Sequence, residues 1–408
     1  MKAISADSHL DILPSRWTHH IPAQYRDVAP KDPQPFTFEE YTIGPFEGLG
    51  RRVYPETVDL GDGDLPGTGS PEQRVRELDV DGVEAEVLFS GVQGPPQWRS
   101  TIKDDQAYLA IVRAHNQFLA DEYCAVAPDR LLGLGIIPVT NPADAVTEME
   151  YCVRNGLAGI QLSAFPTGLS YPSAEDDRFW AAAVDLRCPV TVHVEFGFPS
   201  TTYGAKGPAL IYPKRPEKGF NDIILRYAKY GFRGALHAVQ LVWGGVFDRF
   251  PTFRIYFAET QIGWIPNFLE QMDNHYTRHQ YWAERLLGLK ALKQLPSDYV
   301  KEHCYWGFQY NPVGVREMYR EVGVDRIMWA TDFPHGESDW PYSRPIIEES
   351  FAGIPNQARD KVIAGNANDF FHLSPDLSLR GAEVAGRKQG ATWQSGAGAT
   401  PAIGHSGS

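Results

Sequence analysis

Short apolar or β-branched runs alternate with longer stretches of helical periodicity along most of this chain. This alternation is expected of repeated βα units, in which helices connect parallel strands. The apolar runs predict eight strands, at residues 3–7, 84–90, 132–138, 157–163, 189–194, 254–258, 303–307 and 326–331. Helical periodicity marks residues 104–127, 142–155, 176–187, 220–248, 265–289, 313–322 and 346–354. Eight strands is the number of a (β/α)8 barrel, so the prediction is an α/β TIM barrel.

Two regions depart from this rhythm. Residues 28–72 are rich in Pro, Gly and acidic residues and have little periodicity. They are predicted to be a loop insertion after the first strand, on the side of the barrel where active sites lie, serving as a lid or as a tolerated surface excursion. From residue 377 the chain is rich in Gly, Ala and Ser, which is typical of disorder. The expected organisation is therefore one barrel domain over residues 1–376 and a disordered tail over 377–408.

Composition narrows the class of protein. With 408 residues and 43% hydrophobic residues, the chain can bury a large core. The net charge of −13 and the scattered Lys and Arg argue against a nucleic-acid partner. Apolar runs are too short to span a bilayer, and the first residues do not resemble a signal peptide. Four isolated cysteines are expected to be reduced core thiols. A cytoplasmic enzyme without a membrane or nucleic-acid partner is the expectation.

Side chains that bind metals end four of the predicted strands. Asp7 and His9 stand two residues apart, so both point to one face of the first strand. His193, Glu259 and Asp332 each follow a later apolar run. Because the carboxyl ends of all strands meet on one face of a barrel, these residues are expected to converge on a divalent cation.

These residues and their flanks resemble the amidohydrolase-2 family, which includes the aminocarboxymuconate semialdehyde and resorcylate decarboxylases. The resemblance covers about residues 3–373. It rests on Ala6-Asp7-Ser8-His9, Asp81-Gly82-Val83, Pro128-Asp129-Arg130-Leu131, Cys188-Pro189-Val190-Thr191-Val192-His193, Gly244 to Pro251, Ala258 to Trp264, Trp329 to His335 and Gly365-Asn366-Ala367.

The resemblance implies a distorted (β/α)8 barrel, a homodimer and one divalent ion held by Asp7, His9, His193 and Asp332. It also implies a His at the end of the sixth strand in the family's decarboxylases, where this chain has Glu259. A Glu can be a base, a proton shuttle or a metal ligand. The predicted fourth strand offers Gln161 and Ser163 and no Lys that could bridge a second ion. One ion is therefore expected; zinc is favoured, with manganese and iron as alternatives.

The sequence pattern gives weaker evidence for four further site residues. His237, in a predicted helix, is considered a catalytic residue or a packed core residue. His335, just after Asp332, is suited to substrate contact, to support of Asp332 or to stabilising the turn. Trp264 and Trp306 lie near strand ends, where an aromatic side chain either lines a substrate pocket or packs in the core.

The expected reaction follows from the ion. A divalent cation with an open position lowers the pKa of bound water to about 7 and polarises a carbonyl. We therefore expect hydrolysis of a carbonyl, ester, lactone or C–C bond in a small organic acid, including aromatic and polycyclic acids. Asp332 and Glu259 would serve as acid/base groups. The first alternative is a non-oxidative decarboxylase of a carboxylated aromatic or semialdehyde. The second is a non-haem iron monooxygenase, which would need Glu259 and His237 as metal ligands.

Overall fold

Eight parallel strands follow one another around the molecule in chain order, each hydrogen-bonded to the next. The computed structural model describes residues 2–32, 36–38, 41–43, 66–90, 95–169, 171–193, 234–335 and 338–373. The strands are β1 (Ile4–Leu10), β2 (Phe36–Phe38), β3 (Tyr41–Ile43), β4 (Ala85–Ser90), β5 (Leu131–Ile136), β6 (Gly159–Leu162), β7 (Val190–His193), β8 (Ile255–Ala258), β9 (Cys304–Phe308) and β10 (Ile327–Trp329). Strands β2 and β3 form a separate antiparallel pair, and the other eight form a nearly closed barrel.

Helices connect these strands. The α-helices are Pro71–Asp81, Pro95–Thr101, Asp105–Phe118, Pro142–Arg154, Asp177–Asp185, Ala235–Trp243, Val246–Arg249, Ile265–Leu287, Pro296–His303, Tyr319–Val322, Ser343–Ser350, Asn356–Asp360 and Asn366–Phe370. Turns of π-helix occupy Leu119–Tyr123, Gly314–Met318 and Lys361–Gly365.

All eight predicted strands coincide with barrel strands, and the predicted TIM barrel is confirmed. Most predicted helices are present with shorter bounds. Within the helix predicted over 104–127, the α-helix ends at Phe118, and π and 3-10 turns follow it. The first part of the helix predicted over 220–248 lies outside the described residues.

The helix Pro71–Asp81 was missed because its buried face is polar. Gln73, Arg74, Glu77 and Asp81 are buried, so apolar periodicity gives no signal. The sequence does contain signals for both ends of this helix. At its start, the Ser70 side chain accepts a hydrogen bond from the Gln73 N–H. Gly82 ends the helix at φ 69°, a left-handed conformation that suits glycine.

The barrel has an inner and an outer core. Alternate strand residues such as Ile4, Val87 and Leu134 pack inside the barrel. Phe370 and Phe371, from the last described helix and its end, pack against this inner cluster together with Tyr256. A larger cluster packs between the strands and the helices.

A fully buried ion pair joins the helix Pro71–Asp81 to the barrel wall. Arg74 Nε lies 2.6 Å from Glu86 Oε1, and Nη2 lies 2.8 Å from Glu86 Oε2. Nη2 also donates to the Phe333 carbonyl at 3.1 Å. That carbonyl accepts the His9 N–H as well, at 2.7 Å. Arg74 therefore fixes the loop after β10 against β1.

Replacing Arg74 by Met should lower the free energy of unfolding by about 3–5 kcal/mol, because Glu86 would be left buried and unpaired. Chemical denaturation measures this loss. Arg178→Met, an exposed Arg on the helix Asp177–Asp185, is the matched control and should change stability by less than about 0.5 kcal/mol. Adding Glu86→Gln to Arg74→Met should recover part of the loss; equal stability of the two variants would contradict this account.

His115 makes stability depend on pH. It is buried beside Trp17 and Trp98, and burial lowers its pKa to about 4. Because the ordinary pKa is about 6.5, the unfolded chain binds the proton first. The folded state should therefore lose stability as pH falls from about 6.5 towards 4, by up to about 1.4 kcal/mol per pH unit from this group. Comparing unfolding of wild type and His115→Gln at several pH values isolates this slope, and parallel curves would refute it.

Two predictions concern regions that are only partly described. Of the predicted insertion 28–72, the structure describes residues 28–32, the pair β2–β3 and residues 66–72, and the helix at Pro71 overlaps its end. The predicted tail, 377–408, lies outside the described residues. In the part of the chain that is described, no helix is both long and apolar enough to cross a membrane.

Candidate metal centre

A β-bulge in β1 aims the first two candidate ligands. From Ser5 to Ser8 the strand advances three residues while its partner β4 advances two, from Glu86 to Leu88. The extra residue changes which side chains face inward beyond Ala6. Bulges of this kind re-aim side chains next to active sites.

Backbone and hydroxyl hydrogen bonds close the seam between β10 and β1. Asp332 N–H donates to the Asp7 carbonyl at 2.9 Å, and His9 N–H donates to the Phe333 carbonyl at 2.7 Å. Behind this seam the hydroxyls of Ser5, Ser8 and Thr331 lie 3.0 Å from one another. The first and last strands therefore hold their candidate ligands in one rigid unit.

Asp7, His9, His193 and Asp332 converge as the sequence predicts. Their ligand atoms all lie within 4.8 Å of one another. His9 Nε2 lies 3.1 Å from Asp332 Oδ1 and 3.6 Å from Asp7 Oδ1, and His193 Nε2 lies 3.6 Å from the same Asp7 oxygen. These four residues form the candidate metal centre, called the centre below.

The donor set fits a divalent cation. Among the described residues, both carboxylate oxygens of Asp7 and of Asp332, and Nε2 of His9 and His193, are buried without a hydrogen bond. Buried polar atoms without hydrogen bonds are costly, and a cation between them would satisfy these atoms. Two imidazole nitrogens and two carboxylates suit zinc, manganese and iron.

Burial and neighbouring charges shift the pKa values of His9 and His193 in opposite directions. Burial, and then His335 and His193, hold the pKa of His9 well below its ordinary value, so its ring is neutral. Burial also lowers the pKa of His193, but the carboxylates of Asp7, Glu259 and Asp332 outweigh it and the pKa is raised. A bound cation would favour the neutral form of both rings, because a ligand must offer a lone pair.

Asp332 and Glu259 have left-handed backbone conformations, with φ of 57° and 54°. Such φ values are uncommon for residues other than glycine and cluster at functional sites. Glu259 Oε2 lies 3.6 Å from His193 Nε2, beside the four ligands. The N–H groups of Thr260 and Gln261 both donate to the Gly307 carbonyl at 3.0 Å, which fixes the turn that carries Glu259.

His335 lies behind Asp332 and is paired with a residue that sequence analysis missed. Its Nδ1 is 3.3 Å from Asp332 Oδ1, and its Nε2 is 3.2 Å from Asp11 Oδ2. Its ring stacks on His9 at 3.8 Å. Burial opposes the positive charge, but the neighbouring carboxylates of Asp11 and Asp332 raise the pKa of His335 to about 11. Asp11 could have been found, because it continues the two-residue spacing of Asp7 and His9.

The remaining candidates are not among the four converging residues. His237 Nδ1 is 3.0 Å from Gln240 Oε1, and the ring packs near Phe165. Trp306 stacks on Phe257 in the outer core, and Trp264 lies edge-on to Trp306 at 5.5 Å. Trp264 Nε1 donates to the Thr260 carbonyl at 2.8 Å, so it supports the Glu259 turn from outside.

Two more residues belong to the surroundings of the centre. Gln161, on β6, accepts hydrogen bonds from Ser90 N–H and Oγ, where a bridging Lys would be needed for a second ion. Phe89, on β4, lies 5.2 Å from the His193 ring and 6.3 Å from that of His9. It is fully buried in the inner core beside the ligands, and the sequence pattern did not single it out.

Comparison with known proteins identifies relatives. The Amidohydrolase family model matches residues 6–373. A γ-resorcylate decarboxylase of Polaromonas sp. strain JS666 is 26% identical over 318 residues, which are 74% of this chain and 87% of that protein. The crystal structure of 5-carboxyvanillate decarboxylase from Sphingomonas paucimobilis is 20% identical, covers 91% of this chain and 99% of its own, and has a TM-score of 0.62. A dihydroxybenzoic acid decarboxylase from Polaromonas sp. JS666, with bound manganese and the inhibitor 2-nitroresorcinol, is 20% identical, covers 91% and 97%, and has a TM-score of 0.56.

These findings correct two expectations. Hydrolysis, the expected main reaction, is wrong, because the three relatives just described are named decarboxylases of carboxylated aromatics. The preference for zinc finds no support either, since the Polaromonas structure contains manganese. The same metal ligands can serve both reactions, so the ligand set could not distinguish them. Because the family model spans residues 6–373, this chain is an enzyme of the amidohydrolase family.

Proposed function

We propose that this protein is a metal-dependent, non-oxidative decarboxylase of a carboxylated aromatic. The observation that carries the proposal is the buried set of Asp7, His9, His193 and Asp332. Their ligand atoms converge at the carboxyl ends of the strands, without hydrogen bonds to the residues that the structure describes. Its family relatives release carbon dioxide from γ-resorcylate and 5-carboxyvanillate, as their names state. Manganese in one of the solved relatives favours that ion here.

Asp7, His9, His193 and Asp332 would hold the ion. When bound, a divalent cation supplies a Lewis acid that binds the acidic end of the substrate and stabilises negative charge there. Phe89 packs against the His193 ring from the inner core and so helps to hold that ligand in place. His335, held between Asp11 and Asp332, fixes the orientation of the Asp332 carboxylate.

Glu259 is proposed as the proton carrier. In decarboxylation the C–C bond to the carboxylate breaks, and its electron pair stays on the ring carbon. That carbon then takes a proton from the Glu259 carboxyl group, and carbon dioxide leaves. The carboxylate left on Glu259 regains a proton from water, so the net reaction consumes one proton and oxidises nothing. A positioned acid at 3.6 Å from a metal ligand is suited to this role.

The test uses 2,6-dihydroxybenzoate and 5-carboxyvanillate as substrates, because the named relatives act on them. Full-length protein is stripped with a chelator and reloaded with manganese or with zinc, and released carbon dioxide is measured. We expect turnover of at least one carboxylated aromatic with manganese, and none in the stripped protein. 2-Nitroresorcinol should inhibit the reaction. Metal-loaded protein that releases no carbon dioxide from a panel of carboxylated aromatics would contradict the proposal.

The homodimer implied by the resemblance and the cytoplasmic location stay predictions. Sedimentation of the purified protein tests the first of these, and a monomer at micromolar concentration would refute it.

A further inference from the structure

A second cluster of metal-ligating side chains lies outside the barrel centre. His19 and His20 belong to the 3-10 turn Thr18–His20, and Glu122 belongs to the π turn Leu119–Tyr123. The Nε2 atoms of His19 and His20 lie 2.8 and 2.7 Å from the same oxygen, Glu122 Oε1. One ligand atom from each residue lies within 4.8 Å of the others. Residues 102 positions apart in sequence, His20 and Glu122, thus meet at one point.

Rigid structure supports both sides of this cluster. Trp17, next to the histidine pair, is 2% exposed and lies 5.3 Å from the rings of both Trp98 and His115. The His20 ring lies edge-on to Phe118 at 6.5 Å. Glu122 lies on a π turn, a helical irregularity that is frequent at functional sites. The three side chains therefore need little rearrangement to bind a ligand.

The cluster and the candidate metal centre of the barrel lie at different places in the fold. The helix Asp105–Phe118 runs from the carboxyl end of β4 back towards the amino end of β5, and Glu122 follows its last turn. The barrel ligands lie at the carboxyl ends of the strands. The two groups share no residue.

The chemistry of the three side chains matches that of a transition metal. Without an ion, Nε2 of His19 and Nε2 of His20 both lie at hydrogen-bond distance from one carboxylate oxygen. A cation at that place would bind the lone pairs of both nitrogens and the oxygen, with the ring protons on Nδ1. Two His and one Glu, with a fourth position left to water, form a set that zinc accepts. The side chains of His19, His20 and Glu122 are 53%, 14% and 44% exposed, so an ion has access from solvent.

We propose that His19, His20 and Glu122 form a second site for a zinc-class cation. Its effect is to tie the segment after β1 to the end of the helix Asp105–Phe118. The site is independent of the decarboxylase proposal, because it uses no residue of the centre. It also means that a metal count above one per chain does not by itself indicate a two-metal active site.

The experiment counts zinc by native mass spectrometry on full-length protein, after loading with zinc and removal of excess ions. Wild type should hold two ions per chain, His193→Ala one, His20→Ala one, and the double variant none. Glu122→Gln keeps both imidazoles and provides a second test of the same site. His279→Ala is the matched control: His279 stacks on His275 at 5.7 Å on the surface of the helix Ile265–Leu287, away from any residue of the cluster.

The affinity of the second site is measured in the His193→Ala background by competition with a chromophoric chelator. Adding His20→Ala or Glu122→Gln should weaken zinc binding by more than the roughly 100-fold that loss of an outer-shell partner can cause. Adding His279→Ala should leave it unchanged. Zinc should also raise the melting temperature of His193→Ala but not that of His193→Ala with His20→Ala. Equal zinc counts in wild type and His20→Ala, or loss of all zinc in His193→Ala alone, would overturn the proposal.

Discussion

His193→Ala should lose the metal ion of the barrel and release no carbon dioxide above background from the carboxylated aromatics that wild type consumes. His193 supplies one of the two imidazole donors, and its Nε2 is buried without a hydrogen bond. The remaining donors are His9 and the carboxylates of Asp7 and Asp332, which repel each other when no ion lies between them. Metal content after chelator washing and reloading with manganese measures the first loss, and carbon dioxide release measures the second.

His237→Ala is the control for this prediction. His237 is also a buried histidine, but it is not one of the four converging residues, so its replacement should leave the manganese content unchanged. Manganese retained by His193→Ala with full turnover would show that the ligand set is wrong. A wild type that binds aromatic acids without turnover, and does so equally well after the substitution, would indicate a binding module instead of an enzyme.

Glu259→Gln should lower kcat by about 100-fold to 10,000-fold, the range that loss of a positioned acid/base group costs. The carboxyl group is removed while the shape of the side chain is nearly kept. Because Glu259 lies beside the four converging residues and is not one of them, the manganese content should stay at one ion per chain. Single-turnover kinetics at saturating substrate separates the chemical step from product release.

Glu259→Asp is the matched comparison. It keeps the acid, shortens the side chain by one methylene and tolerates the left-handed backbone better than most residues, so it should retain more activity than the Gln variant. Loss of metal in Glu259→Gln would make Glu259 a ligand and refute the proton-carrier role. An unchanged kcat would refute it as well.

The sequence predicted the barrel because each strand is a short run of apolar residues. Such a run is visible in the local sequence, without knowledge of the segments that pack against it. It also predicted the convergence of Asp7, His9, His193 and Asp332, since parallel strands in a barrel present their carboxyl ends on one face. The same reasoning would have reached Asp11, which follows the end of β1 and continues the two-residue spacing of Asp7 and His9. It could not separate decarboxylation from hydrolysis, because one metal centre can promote either reaction. Only the comparison with named relatives favoured decarboxylation.

Tertiary structure decided what depends on contacts between distant segments. The buried polar face of the helix Pro71–Asp81 is stable only because Glu86 lies opposite Arg74, and no local pattern contains that pairing. Trp264 and Trp306 were candidate pocket residues, but the strand pleat turns Trp306 into the outer core, where it packs against Trp264. His19, His20 and Glu122 carry no common motif, and only the packing of the helix Asp105–Phe118 against the segment after β1 brings them together. Local hydrophobic pattern thus fixed the strands and their ends, whereas long-range packing fixed which polar side chains meet.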